Sequence, residues 1–323
     1  PPIQLDVAAV EVVVRYLPEQ DGVTGDTIAT SLTIQARSLN IPASEITVFE
    51  LAPEGQREAP PAPGAPVDAR IPQTAERTLA NGLRVIVAPN RALPLVSADL
   101  RVAYGASADP RGRAGLAGTT ADLLTRGTTT RSATQIASQI ESLGAAIGSG
   151  AGLDSSAVSL QTRSDRVNDA FTVFADVVRN PAFAQEELER AQQEALDGLQ
   201  VALSEPGSIA GFAMTRALYG EAPYGAIASQ STISAITRED MGGYHRTYWR
   251  PDAGVLVITG DVSADEGFAL AERYFGDWAR PSAARPAQPD ASAWAQQPRV
   301  IVVDLPDTGQ AAVSMGLRGV ART

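Results

Sequence analysis

The 323-residue chain has no cysteine, no lysine and a single histidine. Without cysteine there is no disulfide, no thiolate nucleophile and no sulfur-ligated zinc. That absence suits an oxidising compartment, so the expected location is periplasmic or secreted. With His245 as the lone imidazole, a histidine dyad or a multi-histidine metal site cannot be assembled, and His245 reads as a partly exposed helical residue. The 26 basic residues, all arginine, face 37 acidic ones, for a net charge of −11. Nothing in that balance would neutralise phosphates, which argues against a nucleic-acid partner. No apolar run is long enough to span a membrane. The opening Pro1-Pro2-Ile3-Gln4 resembles neither a signal peptide nor a translation start, so the expectation is a piece of a longer product.

What is present supports a folded protein. Hydrophobic residues make up 44% and charged ones 20%, enough to bury a full core. Residues 8–17 are β-branched and predict a strand. From 18 to 74 the pattern breaks into short extended pieces (31–35 and 46–51) and a polyproline-like stretch, 59–66, which together read as a connector. A globular region begins near Ala75. Asn81-Gly82 marks a hairpin turn between two strands, and the alternation over 95–104 predicts a third. Ala114–Thr128 reads as a small-residue helix left through a Gly-Thr turn. A helix over Ser132–Leu143 follows, with Ser132 as N-cap, and then strands near 145–149 and 156–162. Ser164 is expected to cap a helix whose apolar face carries Phe171, Phe174, Val177 and Val178. Further helices are predicted over Gln185–Ser204, 207–219, a segment containing 244–248, and Ala264–Phe275, with Gly254–Gly260 as a buried strand. A Pro- and Ala-rich run covers 281–298, and 299–305 and 311–317 predict two strands of a new unit. Hairpins dominate the start and helices alternate irregularly with strands. The expected class is therefore α+β, a mainly antiparallel sheet with helices packed on one side.

Four patches, in order, carry a resemblance to a known family. They are Leu79-Ala80-Asn81-Gly82-Leu83-Arg84-Val85, the run Gly105–Ala117, Tyr219-Gly220-Glu221-Ala222-Pro223-Tyr224-Gly225, and Tyr248–Asp261. Together they resemble the pitrilysin/insulinase-type zinc metallopeptidases, or inverzincins. In that family a His-x-x-Glu-His helix supplies two zinc ligands and the general base, and a Glu on a later helix supplies the third ligand. Neutral imidazoles and a carboxylate leave one zinc position open, where bound water becomes a nucleophile near neutral pH. The intervening Glu takes that water's proton. Histidines four apart share one helical face and reach one metal.

Aligned on this frame, the first histidine falls on Gly118, the base on Ala121 and the second histidine on Asp122, while the downstream Glu falls within Ala191–Gly198, where the spacing favours Gly198 and Glu194 and Asp197 lie nearby. The resemblance therefore implies a segment with no catalytic and no metal-binding residues. No cofactor is expected in it, and zinc is expected in a partner half. It implies residues 1–17 as the end of a preceding domain and 18–74 as a linker between halves. Residues 75–285 would be an inactive pitrilysin-like α+β domain, and 286–323 a connector with the first strands of a similar domain. The implied role is to wall the chamber and present a peptide-binding surface while a zinc-bearing half, in the same polypeptide or a partner subunit, hydrolyses the peptide. The alternative is a non-catalytic structural or assembly subunit. A third reading is an independent enzyme built on Asp122, Glu194 and Asp197 around another metal.

Other chemistry-bearing runs have blander explanations. Asp154-Ser155-Ser156 lies on a different element from the lone His245, so no serine triad can be argued. The glycines of 144–152 lack the lysine of a phosphate loop and read as a loop between strands. Glu186, Glu187 and Glu189 suit the positive end of a helix.

Overall fold

A computed structural model describes residues 12–16, 46–50, 64, 73–220, 223–289, 300–306 and 309–319. The chain divides into two units, residues 1–69 and 70–323. In the first, β1 (Val12–Tyr16) pairs in parallel with β2 (Ile46–Glu50), Val12 opposite Ile46. Ile46–Glu50, read from sequence as an extended piece of a connector, therefore has a ladder partner. The pieces at 31–35 and 59–66 lie outside the described residues, Gly64 apart.

The second unit is built on a six-stranded sheet of order β3-β4-β8-β5-β7-β6. Its elements in chain order are β3 (Ala75–Thr78), β4 (Arg84–Pro89), β5 (Leu95–Val102), α1 (Leu116–Asp122), α2 (Ala133–Ser142), β6 (Ala146–Ala151), β7 (Ser156–Arg163), α3 (Val167–Arg179), α4 (Gln185–Ser204), α5 (Pro206–Tyr219), α6 (Gln230–Ser234), α7 (Arg238–Tyr248), β8 (Gly254–Gly260) and α8 (Ala264–Phe275). Every neighbouring pair is antiparallel except β4–β8. The period-2 alternation of β5 puts Val96, Ala98, Leu100 and Val102 on one face and Ser97, Asp99 and Arg101 on the other. Register aligns Val85, Leu256, Leu100 and Val158 in one row across four strands, each fully buried. Phe171, Phe174, Val177 and Val178 of α3 and Phe268, Ala271 and Phe275 of α8 belong to the same core. α8 packs so closely that a Cβ on Gly267 would come within 2.7 Å of Val87. Asn81 of the β3–β4 turn donates to the Phe275 and Trp278 carbonyls, at 2.6 and 3.1 Å, and pins the hairpin to the end of α8.

Several boundaries differ from the sequence pattern. The small-residue helix is only seven residues long and gives way to a 3-10 turn, Leu123–Thr125, because left-handed Gly115 and Gly127 (φ 102° and 133°) close it at both sides. Ser132 does cap α2, in a capping box with Gln135, whereas Ser164 opens a 3-10 turn and caps nothing. The strand expected near 145–149 is β6, the edge strand of the sheet, and it runs on to Ala151, so it takes up most of the glycine-rich run read as a loop. The strands expected over 299–305 and 311–317 are not formed among the described residues there, where Val300, Val302, Val313 and Met315 are exposed. An apolar run without a ladder partner has no strand to join. The first part of the Pro/Ala-rich stretch is strapped down: Arg250 donates to the Ala283 carbonyl at 2.9 Å, Tyr104 to that of Pro286 at 2.7 Å, and Gln288 to that of Ala103 at 2.6 Å. Residues 290–299 lie outside the described set.

Candidate functional site

α1 is entered through Asp109, which stands in for a side-chain cap. Its Oδ2 accepts from the Gly115 amide and its Oδ1 from the Ala117 amide, both at 2.8 Å. Burial pushes this carboxyl up to about 6, against the pull of those amides. One turn on, Gly118 leaves a gap: a Cβ there would meet nothing within 4 Å. The same holds for Gly198 on α4. Ala121 is fully buried and belongs to the core.

Asp122 is half exposed and forms an ion pair with Arg126, Nη2 to Oδ2 at 2.8 Å. The same Nη2 reaches Glu194 Oε2 on α4, also at 2.8 Å. The hydrogen bond to Glu194 raises the guanidinium further and holds the Glu194 carboxyl below its usual range. The structure thus brings Asp122 and Glu194 together, but around an arginine. Asp197, the third acid considered, accepts from Gln193 on its own helix at 2.7 Å. Arg126 went unrecognised in the sequence, although its spacing of four from Asp122 places both on one helical face.

These residues do not fit zinc. Gly118, Ala121 and Gly198 offer no donor atom, and the two carboxylates present are shared by a guanidinium. Among the described residues no three His, Cys, Asp or Glu side chains converge.

The remaining candidates are engaged elsewhere. His245 Nε2 contacts the Val178 carbonyl at 2.8 Å, with the ring between Phe183 and Trp249. Asp154 accepts from Tyr224 at 2.6 Å, Ser155 from Arg101, and Ser156 donates to the Tyr104 carbonyl at 2.8 Å.

The profile described as Insulinase (Peptidase family M16) matches residues 84–230, and that of the Peptidase M16 inactive domain matches 235–323. The chain belongs to the insulinase (peptidase M16) family. An uncharacterized zinc protease of Mycobacterium leprae is 27% identical over 64% of this chain and 47% of its own length. The crystal structure of a peptidase M16 inactive domain from Pseudomonas fluorescens superposes with a TM-score of 0.62 at 29% identity, over 68% of this chain and 54% of that one. The crystal structure of pitrilysin shares the fold at 18% identity, with a TM-score of 0.61 over 68% of this chain and 24% of that one. The chain spans about half the length of the curated M16 relatives it matches. The pitrilysin/insulinase resemblance and the α+β class with a mostly antiparallel sheet both hold. No described helix is long and apolar enough to cross a membrane.

Proposed function

We propose that residues 75–285 form the first domain of the zinc-free half of a pitrilysin-type peptidase. In this reading the domain walls a chamber and orients a peptide, while a zinc-bearing half, in the same polypeptide or a second subunit, hydrolyses it. Residues 1–17 then end the preceding domain, 18–74 connect the halves, and 286–323 lead into a second, similar domain. The observation that carries the reading is the motif helix itself. The chain has an M16 match and the helices α1 and α4, and in this reading Gly118, Ala121, Asp122 and Gly198 take the positions of two ligands, a base and a third ligand. Loss of the base alone abolishes general-base activation of water, whatever metal is present. The absence of cysteine supports a periplasmic or secreted setting.

The test is metal analysis and peptide hydrolysis on the 323-residue chain, alone and with a zinc-bearing M16 half encoded beside it or upstream in the same polypeptide. The chain alone is expected to carry no stoichiometric zinc and to cleave nothing, with hydrolysis appearing only when both halves are present. One tight zinc in the isolated chain sinks the proposal. Hydrolysis by the other half at the same rate without this chain would favour the structural-subunit reading.

A further inference from the structure

The misfit between this site and zinc has a positive counterpart in Arg126. In an M16 metal site the cation joins the motif helix to a later helix. Here one guanidinium nitrogen accomplishes the same connection, lying 2.8 Å from Asp122 Oδ2 at the end of α1 and 2.8 Å from Glu194 Oε2 on α4. Glu194 lies four residues before Gly198 and so shares its helical face. Arg126 lies just past the 3-10 turn that follows α1. The bridge therefore joins Asp122, itself at the second-histidine position of the frame, to the α4 face one turn before Gly198.

We propose that Arg126 is a built-in cation that takes over the structural task of the missing zinc, bracing α1 against α4, and that its presence keeps divalent metals out of the site.

Three further observations support this. At seven residues, α1 is far below the length at which a helix holds itself together, so both ends need anchors. Asp109 anchors the start through the Gly115 and Ala117 amides, and Arg126 anchors the end. Gly118 and Gly198 have no side chain, so neither position adds a contact between the two helices. Exposed ion pairs contribute little singly, but the Arg126 side chain is only 25% exposed and one donor serves two acids. Removing it leaves two carboxylates facing one another, which adds repulsion to the lost attraction. Arginine also keeps its charge at every pH the fold survives, so the brace does not release by deprotonation.

The experiment is hydrogen exchange on the full-length protein, read on peptides covering 114–128 and 185–200, with β5 and β8 as internal references. In Arg126→Met, which keeps most of the stem and loses the charge, both peptides are expected to exchange about tenfold faster while β5 and β8 stay protected. Adding Glu194→Gln to that variant is expected to recover part of the protection, since it removes the repulsion between the two carboxylates left facing one another. Zinc or a chelator is expected to leave exchange in the wild-type peptides unchanged. Unaltered exchange in Arg126→Met, a fully additive effect of Glu194→Gln, or zinc-induced protection of 114–128 in the wild type would each overturn the proposal.

Discussion

The ring of His245 on α7 hangs from the carbonyl of Val178 in the last turn of α3, Nε2–H donating at 2.8 Å. A carbonyl can only accept, so the neutral ring carries its proton on Nε2. Phe183 meets the ring edge-on and Trp249 stacks on it, at 5.8 and 6.1 Å.

Burial lowers this imidazole to about 4, with the nearby Arg246 charge adding to the effect. Unfolded histidine titrates near 6.5, so the stability tied to the neutral ring is complete above about 6.5 and is lost as pH falls toward 4. Asp109 works the other way. Its folded value of about 6 lies above the ordinary 3.8, so the native state gains stability as pH falls from 6 toward 4. The two nearly cancel in the wild type. His245→Gln, which keeps a donor for Val178, removes the histidine limb, so between pH 7 and 4.5 the variant is expected to gain about 2 kcal/mol relative to the wild type. Urea midpoints across that range are the measurement, and a variant that keeps the wild-type profile refutes the assignment.

Arg250 is a buried clasp. It is 2% exposed, forks onto Asp252 through Nε and Nη2 at 2.5 and 2.9 Å, and donates to the Ala283 and Ala284 carbonyls. Arg280 and Arg285 add contacts to Asp252, the latter through its backbone carbonyl. Arg250→Met should cost about 3–5 kcal/mol, because a buried carboxylate loses its bidentate partner. It should also free 281–288 from the domain. Limited digestion with elastase, which cuts after small residues, reads this directly: cleavage at Ala283–Ala284 should accelerate well before global unfolding. Equal cleavage rates in variant and wild type would contradict the clasp.

The frame that assigns the lost zinc site is itself testable. Gly118 and Gly198 have room for side chains, whereas Ala121 is fully buried. With the Arg126 cation also removed, the variant Gly118→His, Asp122→His, Gly198→Glu, Arg126→Met should therefore bind one zinc per chain while still cleaving no peptide, since no base is restored. Zinc content after dialysis is the readout. A variant that folds but holds no zinc shows that the three positions do not converge.

Much of the scaffold was legible from residues alone. The boundaries of α4, β8 and α8 coincide with their sequence patterns, because strong periodicity, Pro206 after α4 and the Ser263 capping box before α8 are local signals. The family frame was legible too, since Gly118, Ala121, Asp122 and Gly198 are identities and need no coordinates. Other features depend on groups distant in the chain, which no local pattern reports. Ser164 fails as a cap because its segment first turns as a 3-10 helix, and the strand expected near 145–149 extends to Ala151 because Ser156 of β7 is there to pair with it.

The sequence by itself determined that cysteine is absent and that His245 is the lone imidazole, because chemistry is written in side-chain identity. Only the tertiary structure decided what joins α1 to α4. Arg126 and Glu194 are 68 residues apart in the chain, and they meet only because the folded chain brings the end of α1 against α4. A guanidinium between two carboxylates is a property of that juxtaposition and not of any stretch of sequence.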